Sequence, residues 1–157
     1  TTKVIPLLLS LLFVWYILVS LWIAPSYLAY FNEAVGGPLN GPHYVIDTSV
    51  DFGQDLVNVK PYLDANNITH VSFRYAGFAN ISYRNISYEK LECEPSTGTL
   101  LVSVNSLYGR FWYEGLKPDV DLNCFSWLRE LEPNDTIGYS IYVYNVSLED
   151  LNTLQHQ

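Results

Sequence analysis

Three carboxylates early in the polar part of the chain are the residues best spaced for chemistry. Asp47, Asp51 and Asp55 fall within nine positions, with Gln54 among them. Acids so grouped could bind a cation or a sugar, and two carboxylates in unlike environments could share the acid and base roles of a hydrolase. An electrostatic role explains them better without any catalysis, because the free amides at a helix N-terminus favour negative charge. Nothing nearby completes a metal or cofactor site. His43, His70 and His156 are scattered, and neither Cys93 nor Cys124 has a Cys or His at metal-ligand spacing. Gly-rich phosphate loops, Gly-X-Ser-X-Gly elbows and His-Glu-X-X-His helices are missing from the sequence. No metal, no cofactor and no catalytic residue is therefore expected.

A second polar group, Asn32 and Glu33, lies just before Gly36-Gly37-Pro38. It follows an uncharged run of 21 residues from Val4 to Ala24 that matches a hydrocarbon core about 30 Å thick. The apolar part of a signal peptide is shorter, about 7–15 residues. A transmembrane helix over 4–24 is expected, with 1–3 as its cytoplasmic flank. Lys3 precedes the run and the next base is Lys60, so the positive-inside bias puts the N-terminus in the cytoplasm and the rest outside. Trp15, Tyr16, Trp22, Tyr27, Tyr30 and Phe31 would form an interfacial belt, and Pro25 would stop the helix. Asn32 and Glu33 then fall at headgroup depth, where they would satisfy backbone groups of a tight turn or touch a lipid headgroup or lipid-linked sugar.

An outside location agrees with the asparagines and the cysteines. Asn67, Asn80, Asn85, Asn134 and Asn145 all begin Asn-X-Ser/Thr, five of twelve asparagines, and glycans are expected there. Cys93 and Cys124 are the only cysteines, and in an oxidising compartment they read as one disulfide. Sixteen acids against eight bases exclude nucleic acid as partner, since no basic stripe is available to displace counterions. The expected partners are membrane lipid and other membrane chains. A Thr-Thr start without Met suggests processing or fragmentation.

The positioning elements follow from periodicity. Residues 25–43 read as a Gly- and Pro-punctuated linker, 44–148 as one α/β domain and 149–157 as a tail. Tyr44-Val45-Ile46 suits a buried strand. Phe52, Leu56, Val59 and Leu63 share one helical face, with Asp51 as N-cap, Gln54 as capping-box partner and Asn66-Asn67 as a left-handed end. Pro61 is expected to kink that helix. Val71, Phe73 and Tyr75 alternate as a strand with one buried face, and Thr99 to Val104 is a second strand. Phe125 to Leu131 predicts a short helix, and Ile137 to Val146 one long strand in which Tyr139, Tyr142 and Tyr144 alternate. The order predicts an α/β layer with some parallel pairing.

Four segments occur in a familiar order: Pro25-Ser-Tyr-Leu-Ala-Tyr-Phe-Asn-Glu-Ala-Val-Gly-Gly-Pro38, then Asp47 with Asp51-Phe-Gly-Gln-Asp-Leu56, Trp127-Leu-Arg129, and Gly138-Tyr-Ser-Ile-Tyr-Val-Tyr144. The order resembles the C-terminal end of lipid-carrier-dependent protein mannosyltransferase-like glycosyltransferases, and it covers nearly the whole chain. Phe52 departs from the Trp frequent in that family, and the cysteine pair and dense sequons are additions. The resemblance implies a last membrane helix and an outer domain over an active-site mouth, helping to place acceptor or lipid-linked donor. It also implies no transfer by the chain alone, because those enzymes carry their catalytic acids on an earlier loop. The alternative is a stand-alone structural or interaction subunit of a membrane or cell-surface assembly.

Overall fold

A computed structural model describes residues 4–46, 50–77, 79–108 and 123–154. Helix α1, Val4–Ile23, is apolar along its length, and Ile23 alone in it is buried. Twenty residues rising 1.5 Å each make it long enough to cross a bilayer. Residues 4–18 of it are exposed, as the side chains of a helix facing lipid would be.

The linker is more ordered than its composition suggests. It folds into three 3-10 turns, Tyr27–Ala29, Glu33–Val35 and Gly41–His43. The Asn32 side chain accepts from the Ala34 amide at 2.7 Å, and Gly36 takes the left-handed conformation, φ 93°, that closes the turn. Asn40 donates its side-chain amide to the Val35 carbonyl.

The domain after the linker is a five-stranded mixed sheet covered on both faces. Its strands are β1 Val71–Arg74, β2 Tyr88–Lys90, β3 Gly98–Ser103, β4 Asp135–Ile137 and β5 Ile141–Val146, in spatial order β2-β1-β3-β5-β4. β1 pairs parallel with β2 and β3, whereas β5 pairs antiparallel with β3 and β4. Helix α2, Leu56–Ala65, lays Leu56, Val59 and Leu63 on one face against Val71, Phe73, Leu101, Ile141 and Val143. The other face carries Leu100, Val102, Tyr142 and Tyr144 under α3, Val104–Leu107, and α4, Ser126–Arg129. Alternate residues of β3 and β5 thus serve opposite cores, the expected consequence of the strand's two-residue period. The tail expected from residue 149 is helical over its described part: α5, Leu148–Leu154, packs Leu151 and Leu154 on the second core.

Several local expectations change. Tyr44-Val45-Ile46 forms no strand, and Tyr44 and Val45 are exposed. Helix α2 begins at Leu56 rather than at Phe52, which is exposed. Pro61 lies inside it, and Asn67 supplies the left-handed residue after its end, φ 56°, as expected. Strand β1 has both neighbours in place, so Ser72 is buried along with Val71 and Phe73. The long C-terminal strand is a hairpin instead: Ile137 faces Ile141 across Gly138-Tyr139-Ser140, with Gly138 at φ 62°. Tyr139 lies in that turn, and only Tyr142 and Tyr144 of the three tyrosines stand in a strand.

Cys93 and Cys124 are bonded, with Cα atoms 4.7 Å apart. The bridge joins the loop after β2 to the start of α4, and Trp127 Nε1 donates to the Cys93 carbonyl at 3.0 Å.

Candidate functional site

The carboxyl ends of parallel strands are where open α/β sheets place their ligand-binding loops. Here the turn 50–55, the segment after β1, the β3–α3 junction and the β4–β5 turn meet at that edge. Chain direction accounts for the meeting: Ser103, last in β3, pairs with Ile141, first in the antiparallel β5. The Gly138–Ser140 turn therefore lands beside the end of β3.

Asp55 anchors the cluster. Its Oδ2 accepts from the Tyr139 amide at 3.1 Å, the Ser140 amide at 3.1 Å and the Ser140 hydroxyl at 2.8 Å. The residue is 3% exposed. Although it stands at the N-cap position of α2, its side chain caps no helix amide, because it is turned onto the hairpin. Gly138 has to be glycine twice over: its φ is positive, and a Cβ there would sit 2.2 Å from the Asp55 carboxyl carbon.

Asp51 lies on the preceding turn and is as deeply buried. Its Oδ1 accepts from the Gly53 amide at 3.0 Å, and its own carbonyl accepts from Asn105 Nδ2 at 2.9 Å. Among the described residues, Oδ2 has no partner of hydrogen-bonding geometry, and neither does Asn105 Oδ1. Burial pushes the carboxyl up to about 6, against the pull of Gly53, Ser103 and Asn105, and the charge of Asp55 adds to the rise. Gln54 clamps the same turn, accepting from the Phe52 amide at 2.8 Å and donating to the Val50 carbonyl at 3.0 Å. Asp51 and Gln54 thus hold the turn before α2 instead of forming its capping box.

Residues not singled out from the sequence complete the cluster. Tyr75 donates its hydroxyl to the Gly53 carbonyl at 3.2 Å, and burial pushes its phenol to about 12. Ser103 Oγ accepts from the Ala76 amide at 3.0 Å and donates to Ser106 Oγ at 3.1 Å. A glycine interrupting the apparent strand at 138 was the one available sign that a turn would bring Ser140 here.

The arrangement spends its polar groups on itself. A carboxyl near 6 is tuned for proton transfer around neutral pH, but Asp51 is 3% exposed and Asp55 is committed to the three hairpin donors and to Asn58. No set of three His, Cys, Asp or Glu suited to a metal occurs among the described residues. Asp47 lies outside the described residues. Asn32 and Glu33 are exposed, on the linker turn and apart from the buried cluster.

The five sequon asparagines are all exposed. Asn80 Oδ1 accepts from the Ser82 amide and hydroxyl, and Asn134 Oδ1 accepts from the Asn145 amide at 2.6 Å. These bonds occupy the amide oxygen and leave Nδ2, the atom a glycan would take. The chain matches no protein-family model, no curated protein and no solved structure.

Proposed function

We propose that this chain is a membrane-anchored, extracytoplasmic glycoprotein domain that positions an acceptor or a lipid-linked donor beside the active site of a partner membrane chain, and that it does not itself transfer sugar. The observation that carries this reading is where the motif residues are spent. Asp55 of the Asp-Phe-Gly-Gln-Asp segment ties down Tyr139 and Ser140 of the Gly-Tyr-Ser-Ile segment. Arg129 of Trp-Leu-Arg donates to the Leu107 carbonyl at 3.0 Å. Groups so committed build a scaffold; transition-state stabilisation needs donors and charges converging on an open reacting centre.

Location rests on three supports: a helix long and apolar enough to span, a disulfide of the kind kept in oxidising compartments, and five exposed sequons. The N-terminus is cytoplasmic in this reading. Asn32 and Glu33, exposed one short turn beyond α1, are the groups set to meet a headgroup or a lipid-linked sugar. The test is isolation of the chain from its native membrane. Copurification with a many-spanned membrane protein whose sugar transfer falls when Asn32 and Glu33 become alanine, with association unchanged, supports the role. Copurification only with chains that transfer no sugar overturns it in favour of an interaction subunit.

A further inference from the structure

At the amino ends of the parallel strands, away from the carboxylate cluster, two of the five sequons come together. Asn67-Ile-Thr69 leads into β1 and Asn85-Ile-Ser87 into β2, and these strands pair in parallel with Val71 beside Tyr88. The Val71 amide donates to the Ser87 carbonyl at 3.3 Å, and His70 Nδ1 lies 3.0 Å from Ser87 Oγ. Both asparagines are exposed and take the left-handed conformation, φ 56° and 52°, just before their strands. Both line one cavity of about 410 Å³, which Lys60, Leu63 and Asp64 of α2 help to close. The volume is within the usual range of small-molecule sites, about 300–1,000 Å³.

The lining is of two kinds. Leu63 and Ile86 are buried and Ile68 is half-buried, which gives the cavity an apolar part. Lys60 and Asp64 pair with each other at an exposed rim, and with the Thr69 hydroxyl they offer donors and acceptors. A pyranose ring divides in the same way, into apolar C–H faces and a hydroxyl edge. Attachment is what selects the occupant. A glycan on Asn67 or Asn85 is rooted in the cavity wall, so its first sugar is held there at an effective concentration on the order of millimolar. Weak contacts are then enough to seat it.

We propose that this cavity seats the first sugar of a glycan carried by Asn67 or Asn85, an intramolecular carbohydrate site at the amino ends of β1 and β2. The inference rests on the glycoprotein part of the function proposed above, and goes beyond it in giving one glycan a fixed place in the fold.

The experiment is enzymatic glycan removal from the full chain, taken from its native membrane into nanodiscs, with release followed site by site by glycopeptide mass spectrometry. Each site is referred to its own rate in the denatured chain, and Asn134 and Asn145, next to or within the strands β4 and β5 across the sheet, show what folding alone does. A seated root sugar should slow release at Asn67 or Asn85 at least tenfold more than at those two. Lys60→Trp and Asp64→Trp fill the mouth from α2 and leave both sequons intact, so each, with an unchanged thermal midpoint, should remove the protection. Release at Asn67 and Asn85 as fast as at Asn134 or Asn145, protection that survives both tryptophan variants, or glycans confined to the other sequons would each overturn the seat alone. No glycan on any sequon would overturn the glycoprotein reading, and the seat with it.

Discussion

The Asp55 carboxylate takes both the amide and the hydroxyl of Ser140, a residue 85 positions later in the chain, at 3.1 and 2.8 Å. This junction fastens the start of α2 to the turn between β4 and β5, and it is buried on both sides. Asp55→Asn keeps the shape but gives up the charge, so it should lower unfolding free energy by about 2–4 kcal/mol, and Ser140→Ala by about 1 kcal/mol. Denaturant unfolding of the single and double variants measures this. Strictly additive losses would show that the pair does not interact.

Asp51 should make stability fall as pH rises from about 4 to 6. Burial holds the folded carboxyl at about 6 against an ordinary 3.8, so across that window the folded chain keeps a proton that the unfolded chain has released. The favourable contribution is full below the unfolded value and is lost as pH passes through the folded one, about 2–3 kcal/mol in all. Unfolding at closely spaced pH values should show this slope in the wild type and lose it in Asp51→Asn, which keeps the oxygen that accepts from Gly53. Identical slopes in the two proteins would mean that Asp51 ionises as freely folded as unfolded.

Reduction of the Cys93–Cys124 bridge should cost about 3–4 kcal/mol, because it closes a loop of 31 residues in the unfolded chain. Non-reducing peptide mapping should recover the linked peptides, and denaturation with and without reductant should show the difference. Two free thiols in the protein from its native membrane would contradict both the bridge and the oxidising location drawn from it.

Glycans are expected on at least three of the five sequons. Asn80 and Asn85 are the best placed, since both are exposed at the two ends of a single 3-10 turn. Intact mass before and after enzymatic removal reads the number, and an unchanged mass would remove one of the three supports for an outside domain.

Much of this fold was legible because long patterns report packing directly. The uncharged run became α1, the Leu56, Val59 and Leu63 face became the buried side of α2, and the run from Thr99 lies in a strand enclosed on both faces. What escaped depended on groups distant in sequence. The α2 start was misplaced because Asp51 followed by Gln54 has the spacing of a capping box, while its carboxylate is held by the turn at Gly53. β2 is three exposed residues at a sheet edge, too short and too polar to leave a periodic trace. The hairpin hid because Ile137 and Tyr139 continue the alternation on either side of Gly138. Asp47, Asp51 and Asp55 were legible as a group, yet nothing local foretold that Asp55 would meet Ser140 or that Asp51 would keep one oxygen unpaired.

The measurement that bears most directly on the central claim is sugar transfer from a polyprenyl-phosphate sugar, assayed with the purified chain alone and with the chain in its native membrane complex. The account predicts no transfer by the chain alone, transfer by the complex, and a reduced rate in the complex when Asn32 and Glu33 are replaced by alanine with association intact. Transfer by the isolated chain, abolished by Asp51→Asn in a protein that still folds, would contradict it, because the carboxylates assigned here to the scaffold would then be performing the reaction.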